Sequence, residues 1–517
     1  MRRGNPVCFV WLVMAMAQCM AFSNFAADSA PVTYTRDIAP IFFKNCASCH
    51  RPVEVAPFSL LSYGETAGHA KTIARVTGNR FMPPWKAEPG AGEFRGARRL
   101  SEAELGLIQR WVDAGAPEGD PQALPPAPVF SDAWKLGEPD LVLSMPQAYS
   151  IPAEGKDIYQ CFVIPLHLTE DKYIVAFEYH PGNRRVVHHA IVSQDSSGEA
   201  IKRDAEDPDI GYRTHGAGTG LKAGYKAVLG IWTPGFMPNF LPEGVGLKLE
   251  KNAVVVLQNH YHSTGKPETD LSSVGLYFAK TTPDTKAIYT TVWQNNVHIP
   301  PGDKHYQVHA DQIAGGAARV LAVTPHMHLL GQELKLNAVS PDGSVKPMVW
   351  VKNWDFNWQC QYFYEKPFRV LKGTRLVMDA SFDNSEENPR NPNHPPKLVN
   401  YGEQTTDEMA GVILLVAPDS PFTRPVAKID AKALDACVGR YDLGSQKILT
   451  ISNELGTLMA RLDSQQKIDL FPESETEFFA RLPEAELKFE KNPNGNVIGV
   501  NVTVDGKSHS GRRMAQE

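Results

Sequence analysis

The first residues with evident chemical potential form the run Cys46-Ala-Ser-Cys49-His50. Two cysteines separated by two residues and followed directly by a histidine are the attachment signature of a c-type haem. In that chemistry the two thiols add to the haem vinyl groups, and His50 becomes an axial ligand of the iron. A zinc site would need further Cys or His ligands nearby, and only His69 is available. A disulfide is the other alternative. The pattern favours a covalently attached haem.

A haem iron held by His50 needs a sixth ligand from farther along the chain. Met82, in Phe81-Met-Pro-Pro-Trp85, is the predicted ligand, because a thioether raises the reduction potential of the iron. The alternative is that Met82 is an apolar side chain packed beside Pro-Pro-Trp.

A helix is predicted to close this segment. Ser101-Glu-Ala-Glu104 has the form of a capping box, and Gly115 is a suitable stop. With an early haem signature, a methionine in a proline-rich loop and a closing helix, residues 33–118 resemble the class I cytochromes c.

The middle of the chain holds three histidine pairs: His188-His189, His260-Tyr-His262 and His326-Met-His328. On a strand, residues two apart point to the same face, so His326 and His328 can reach one ion. Adjacent residues point to opposite faces, so His188 and His189 can share a metal only at a bulge or a strand end. Several imidazoles suit copper, zinc or iron, and an added thioether would favour copper.

Four motifs in the middle of the chain occur in a specific order: Val187-His-His-Ala190, Leu257-Gln-Asn-His-Tyr-His262, Pro325-His-Met-His-Leu-Leu-Gly331 and Thr405-Thr-Asp-Glu-Met-Ala410. They resemble the copper type II, ascorbate-dependent monooxygenases, the family of the peptidylglycine and dopamine enzymes. The resemblance covers about 138–425 and implies two β-sandwiches with one copper ion each. It implies that an electron-transfer copper is bound by His188, His189 and His260. It also implies that a catalytic copper is bound by His326, His328 and Met409.

Three positions depart from the peptidylglycine enzymes. That family has an Arg two residues before the first histidine of the catalytic pair, where this chain has Thr324. Its Asn and Tyr, two and four residues after the ligand methionine, are replaced by Gly411 and Ile413. Because those side chains bind the terminal carboxylate of the substrate, the resemblance does not extend to a peptidylglycine substrate.

Length and composition set the architecture that must hold these residues. The 517 residues are enough for three or four domains, and 40 glycines with 40 prolines favour β-sheets joined by turns. The C-terminal segment contains Val438-Gly-Arg-Tyr441 and Leu470-Phe-Pro-Glu-Ser-Glu-Thr-Glu-Phe-Phe479. In these motifs it resembles the small lipocalin-like barrels that follow some bacterial hydrolase domains. The predicted order is a signal peptide (1–27), a small α-helical cytochrome c domain (33–118), a Pro-rich linker (119–137), two β-sandwiches (138–280 and 281–425) and a small β-barrel (428–517).

The N-terminal residues predict export. Arg2 and Arg3 precede an apolar run from Val7 to Phe22, with cleavage expected within 23–30. We therefore expect a periplasmic or extracellular protein with no membrane span after cleavage. The net charge of -6 makes nucleic acid an unsuitable partner.

Three cysteines lie outside the signal and the haem motif: Cys161, Cys360 and Cys437. They leave one disulfide at most, and a Cys161–Cys360 pair is one option.

Together these features predict a secreted monooxygenase that hydroxylates a C–H bond of a small substrate with O2. We expect two copper ions, one c-type haem as the route of electron entry, and ascorbate or another external donor as reductant. The alternative is a non-catalytic protein that carries electrons or binds copper in the periplasm.

Overall fold

The computed structural model describes residues 31–419, apart from 53, 55, 131–133, 217 and 223. It also describes residue 427 and residues 429–515, apart from 446, 455, 464–466, 482, 483, 505 and 506. The predicted signal peptide lies outside the described residues. The fold is mainly β, as predicted. No helix in the described ranges has the length and apolar character needed to cross a membrane.

The N-terminal segment is helical. A π-type turn (Tyr34–Ile38) is followed by α1 (Ala39–Asn45), α2 (Tyr63–Ala67), α3 (Ala70–Gly78) and α4 (Glu102–Asp113). The predicted capping box is confirmed, because the Ser101 hydroxyl accepts from the Glu104 N–H and the Glu104 carboxylate accepts from the Ser101 N–H. Buried aromatic side chains, among them Phe42 and Trp111, form the core of this segment. A single 3-10 turn (Pro121–Ala123) follows.

Two five-stranded sheets enclose the next core. The elements, in order, are β1 (Leu141–Ser144), β2 (Tyr149–Ile151), β3 (Ile158–Pro165), β4 (Lys172–His180), β5 (Val187–Asp195), α5 (Glu199–Glu206), β6 (Tyr212–Thr214), a 3-10 turn (Gly224–Ala227), β7 (Val228–Trp232), β8 (Val245–Leu249), β9 (Val254–Tyr261), β10 (Glu268–Asp270), β11 (Ser273–Phe278) and β12 (Thr285–Lys286). The sheet orders are β1-β11-β4-β8-β12 and β6-β3-β9-β5-β7, while β2 pairs with β10. Apolar side chains of both sheets pack together.

Two four-stranded sheets follow. Their elements are β13 (Ile288–Gln294), β14 (His298–Ile299), β15 (Tyr306–Ile313), β16 (Ala318–Met327), β17 (Gly331–Val339), β18 (Val345–Val351), β19 (Tyr362–Val370), β20 (Arg375–Phe382), β21 (Val399–Asn400) and β22 (Ala410–Pro418). The orders are β13-β22-β16-β19 and β15-β20-β17-β18, while β14 pairs with β21.

Strand β22 is buried on both faces. Val412, Leu414 and Val416 pack between the two four-stranded sheets, whereas Ile413 and Leu415 pack into the core of the preceding sandwich. A run of consecutive apolar residues is the sequence expected for such a doubly buried strand. The two sandwiches therefore share apolar core.

The loop that connects α3 and α4 also enters the second sandwich. Trp85, Ala87 and Phe94 belong to its buried core. Ala87 forms a β-bridge with Val351, and Phe94 forms one with Tyr364. The sequence shows no signal for this packing, because the loop is rich in Pro and Gly and has no strand periodicity.

The C-terminal segment forms a closed eight-stranded barrel, as predicted. Its elements are α6 (Ala431–Cys437), β23 (Gly439–Asp442), β24 (Ile448–Glu454), β25 (Thr457–Leu462), β26 (Ile468–Pro472), β27 (Glu477–Arg481), β28 (Glu484–Lys491), β29 (Val497–Val504) and β30 (Lys507–Arg513). The option of a Cys161–Cys360 disulfide is wrong, because both thiols are free and buried, as is that of Cys437. The two residues lie in different cores, Cys161 beside β9 and Cys360 in the second sandwich.

Candidate metal centres

Strands β5 and β9 bring His188, His189 and His260 together. The pairing register shifts between Val187 and His189, so the irregularity predicted for adjacent histidines is confirmed at the start of β5. The Nδ1 atom of His260 lies 3.2 Å from Nδ1 of His188 and 3.3 Å from Nδ1 of His189. Three imidazole nitrogens thus converge on one point. We call these residues the three-histidine set.

The three imidazoles are held in the form that binds metals. Burial lowers the pKa of His188 and His189 well below the ordinary value, and it lowers the pKa of His260 to about 4. The rings are therefore neutral near pH 7 and carry a lone pair for an ion. Neutral imidazole suits copper, zinc or iron, as the residue types alone indicate.

The second histidine pair lies at the end of β16. Nδ1 of His326 faces Oε1 of Gln359 at 2.6 Å, and Nδ1 of His328 faces the carbonyl oxygen of Asp407 at 3.1 Å. Because an oxygen acceptor holds the proton on Nδ1, both rings keep Nε2 as the free acceptor. Burial lowers the pKa of His326 to about 3 and that of His328 to about 4.

Met409 directly precedes the strand that pairs with this histidine motif. His326 pairs with Gly411 and Met327 with Ala410, and Met409 is the residue before Ala410. Met409 is buried. A soft thioether beside two imidazoles is a ligand set suited to copper in its reduced state. We call His326, His328 and Met409 the methionine set.

A buried carboxyl group secures the backbone of the methionine set. Glu408 accepts the N–H of His328 at 2.9 Å and the N–H of Leu330 at 2.5 Å, and its own neighbour Met409 donates at 3.3 Å. Burial raises the pKa of Glu408 to about 8. Glu408 lies within one of the motifs, but its spacing gave no signal of this positioning role.

Aromatic rings separate and flank the two sets. The Phe356 ring stacks on His188 at 5.0 Å between centroids and meets His328 edge-on at 5.8 Å. The Trp293 ring stacks on His326 at 5.6 Å. The local sequence carries no signal for the contact that either ring makes with a histidine.

The positions that depart from the peptidylglycine enzymes have structural explanations. A Cβ on Gly411 would collide with the Trp293 ring, so glycine is what lets that ring lie against His326. Ile413 points into the core shared with the first sandwich, and Thr324 is buried. Gly411 and Ile413 offer no polar side-chain group for a carboxylate, and the hydroxyl of Thr324 is buried.

Asp157 connects the three-histidine set to a further histidine. Its Oδ2 lies 3.2 Å from Nε2 of His260, and its Oδ1 lies 2.6 Å from Nδ1 of His262. Burial alone would raise the pKa of the Asp157 carboxyl, but the neighbouring His260 and His262 rings and the Thr405 hydroxyl hold that pKa well below the usual range. Asp157 lies about a hundred residues from these histidines in the chain, so no local motif could have found it.

The residues predicted to hold a haem lie on one turn after α1. The N–H groups of Cys49 and His50 both donate to the carbonyl oxygen of Cys46, and both thiols are free. Nδ1 of His50 lies 3.1 Å from the carbonyl oxygen of Phe58, which leaves Nε2 as the free acceptor. These residues therefore fit an axial imidazole beside two thioether links. Met82 follows α3, and its N–H donates to the carbonyl oxygen of Val76.

The N-terminal segment that is predicted to bind a haem (33–118, called the haem segment below) contacts both sandwiches. Glu54, four residues after His50, forms an ion pair of 3.2 Å with Arg184, which lies four residues before His188. On the other side, the Cys360 thiol lies 3.9 Å from the carbonyl oxygen of Pro84. Cys360 directly follows Gln359, the partner of His326. Each metal set is thus a few residues from a contact with the haem segment.

Comparison with known proteins identifies the second sandwich. Residues 286–425 match the model of the copper type II ascorbate-dependent monooxygenase C-terminal domain. Over these residues the chain is therefore similar to that family. This region contains the whole methionine set.

Curated relatives extend the similarity beyond that region. The chain is 25% identical to the mouse (Mus musculus) DBH-like monooxygenase protein 1 over 54% of its own length and 47% of the relative. It is 23% identical to MOXD1 homolog 1 of Drosophila melanogaster, over 44% and 36% respectively. The matched region thus spans about half the length of the mouse protein and about a third of the fly protein. Among solved structures, the major capsid protein P2 of bacteriophage PM2 aligns with a TM-score of 0.21 at 10% identity, covering 55% of this chain and 99% of that one.

Proposed function

We propose that the chain is a copper-dependent monooxygenase that hydroxylates a C–H bond of a small substrate with O2. The observation that carries the proposal is the pair of separate ligand sets. Three Nδ1 atoms converge in one sandwich. In the next, the His326 and His328 rings lie 5.1 Å apart beside the strand that Met409 precedes. The family match over 286–425 supports the same activity.

The proposed roles follow from ligand type. Copper at the two sets would supply one-electron redox chemistry and activation of O2. His188, His189 and His260 hold the first ion, and His326, His328 and Met409 hold the second. Gln359 and the Asp407 carbonyl keep the protons of the second pair on Nδ1. Phe356 and Trp293 exclude water from the surfaces they cover.

Both sets lie close to one another. Because the Phe356 ring touches His188 and His328, the two imidazole centres are no farther apart than the sum of the two centroid distances, 5.0 and 5.8 Å. This spacing supports a division of labour in which one set stores an electron for the other. It also means that a substrate of the methionine set lies within reach of both.

We infer that electrons enter through a c-type haem on residues 33–118. Cys46 and Cys49 would form the thioether links, with His50 and Met82 as axial ligands. The ion pair between Glu54 and Arg184 supports a direct route toward the three-histidine set. A donor fused to its acceptor acts at a high effective concentration. An external reductant, ascorbate or another donor, would reload the haem in the periplasm or outside the cell.

The departures at Thr324, Gly411 and Ile413 bear on the substrate. The peptidylglycine enzymes use those positions to bind a terminal carboxylate, and here they are a buried hydroxyl, a glycine under Trp293 and a core side chain. The proposed substrate is therefore a small molecule that the protein does not hold by a terminal carboxylate.

Metal analysis with matched variants tests the proposal. Protein exported to a periplasm that matures c-type haem should contain two copper ions and one haem per chain. His260→Ala and His326→Ala should each lose one copper, whereas His309→Ala, at an exposed histidine paired with Asp379, should keep both. Reductant-dependent O2 consumption should require both sets. Full metal loading with redox activity but no O2 consumption would instead identify the non-catalytic electron carrier.

A further inference from the structure

The two ring nitrogens of His260 face different groups. Its Nδ1 points to the three-histidine set, while its Nε2 lies on the opposite side of the ring, 3.2 Å from Oδ2 of Asp157. The His260 side chain is 0% exposed, and Nε2 has no hydrogen bond of good geometry within the described residues. A buried ring nitrogen without a well-directed partner is costly unless something else satisfies it.

Two further groups that can bind a metal ion lie close to that nitrogen. His262 follows His260 by two residues at the end of β9, so the chain can present both rings to the same side. Nδ1 of His262 lies 2.6 Å from Oδ1 of Asp157. One ligand atom from each of Asp157, His260 and His262 falls within 4.8 Å of the others, a spacing that a single ion can span.

We propose that Asp157, His260 and His262 form a second divalent-metal site, suited to Zn²⁺, in which the His260 imidazole bridges to the copper of the three-histidine set. In many zinc sites two imidazoles and a carboxylate bind the ion, and the fourth position is open to water. The inference rests on the proposed function, since the bridge needs copper at Nδ1.

The fourth ligand position has access to solvent. Asp157 lines a cavity of about 640 Å³, together with Tyr149, Lys156 and Arg213 among other residues. His262 and Asp157 are partly exposed, whereas His260 is sealed. A water molecule from the cavity would complete a four-coordinate ion. Binding changes no oxidation state: the ion replaces the proton on Nε2 of His260, which leaves to solvent.

The simpler reading of the same contacts is a positioning role. In that reading Asp157 only orients the two imidazoles by hydrogen bonds, as carboxylates do beside many metal-bound histidines. The two readings differ in the number of ions bound, and this difference can be measured.

The test uses the full-length haem-containing protein. Copper-loaded protein is freed of loosely bound metal, titrated with Zn²⁺, dialysed and analysed for copper, zinc and iron. We expect one zinc per chain in addition to two coppers, and a change in the Cu(II) EPR spectrum when zinc binds. With excess Cu²⁺ in place of Zn²⁺, the EPR intensity per copper should fall, because two ions that share one imidazolate couple magnetically.

Matched variants separate the site from adventitious binding. His262→Asn should lose the zinc and the EPR response while it retains two coppers. His309→Asn, which removes a histidine from the exposed pair with Asp379, should behave as wild type. Circular dichroism checks folding, and Asp157→Asn provides a second variant of the site.

The outcomes are distinct. Two coppers with no additional zinc, or equal zinc in wild type and His262→Asn, would overturn the inference and leave the proposed function standing. Protein that binds no copper would contradict the proposed function, and the bridge with it.

Discussion

The hydroxyl group of Thr405 donates a 2.5 Å hydrogen bond to Oδ2 of Asp157. This contact joins the two sandwiches at their metal sets. Thr405 lies four residues before Met409, and Asp157 lies next to His260. The same loop makes a second contact, because the side-chain amide of Gln404 donates to the carbonyl oxygen of His215. The position of the methionine set is thus tied to the carboxylate that serves the three-histidine set.

Replacement of Thr405 should loosen that connection. Thr405→Val removes the hydroxyl and keeps the shape, and the lost hydrogen bond to a charged group should cost about 1.5–3 kcal/mol locally. We expect faster amide hydrogen exchange in 402–409, measured by mass spectrometry, with copper content unchanged. Thr405→Ser restores the donor and should exchange like wild type. If amide hydrogen exchange in 402–409 were equally fast in Thr405→Val and Thr405→Ser, the role of this hydrogen bond would be contradicted.

Met409 is predicted to set the preference of its site for reduced copper. Met409→His should keep copper bound but lower the affinity for Cu(I) relative to Cu(II), because an imidazole is a harder ligand than a thioether. Competition with a Cu(I) chelator measures the affinity, and O2 consumption should fall in parallel. The buried core methionine Met378 provides the control, as Met378→Leu should change neither quantity. Unchanged Cu(I) affinity in Met409→His would remove Met409 from the ligand set.

Met82 is predicted to bind the haem iron. Met82→Ala should open the sixth position and lower the reduction potential, while the links to Cys46 and Cys49 persist. The visible spectrum and a potentiometric titration report the two effects. Phe81→Ala, at the exposed neighbouring side chain, is the matched control. A spectrum identical to that of wild type would assign the ligand elsewhere.

The ion pair between Glu54 and Arg184 is predicted to align the haem segment with the three-histidine set. Arg184→Glu should slow haem oxidation after rapid reduction in the absence of ascorbate, followed by stopped-flow absorbance. The double exchange Glu54→Arg with Arg184→Glu should recover much of the rate. A rate independent of protein concentration indicates transfer within one chain. Haem that stays reduced beside oxidised copper, in the wild type, would contradict the donor role.

Glu178 is predicted to make the contact between the linker and strand β4 sensitive to acid. Burial would raise the pKa of its carboxyl, but contacts from His180, the N–H groups of Lys135 and Leu136, and the Tyr277 hydroxyl hold the pKa below the ordinary value. A lowered folded-state pKa means that this stabilisation is complete above about pH 4.5 and is lost as the pH falls below it. Glu178→Gln should therefore destabilise the protein at neutral pH and flatten the loss of stability below pH 4.5. A parallel acid profile in both proteins would exclude Glu178 as the titrating group.

Local patterns predicted the features that depend on near neighbours in the chain. The capping box at Ser101 and the irregular backbone at His188 follow from spacing, whereas the closed C-terminal barrel was predicted from a resemblance. The grouping of His188 with His260 needed the family resemblance, because strand periodicity does not state which strands are adjacent.

The residues that support the metal sets were not predictable in this way. Asp157 and Gln359 act on histidines that lie 105 and 33 residues away. A single polar residue of this kind produces no periodic pattern in the sequence, and its role becomes apparent only from the order of the strands in the sheets. Trp293 reaches His326 because Gly411 leaves room for the ring, a relation between two strands that neither strand shows alone.

Trp85, Ala87 and Phe94 lie in the core of the second sandwich although they precede the Pro-rich linker in the chain. The segment that is predicted to bind a haem thus forms part of the core of the second sandwich. Cutting the chain within 119–137 would remove three core side chains and expose the apolar surface that they cover. A protein that begins after the linker would therefore lack part of the interior of its second sandwich, whatever the N-terminal segment binds.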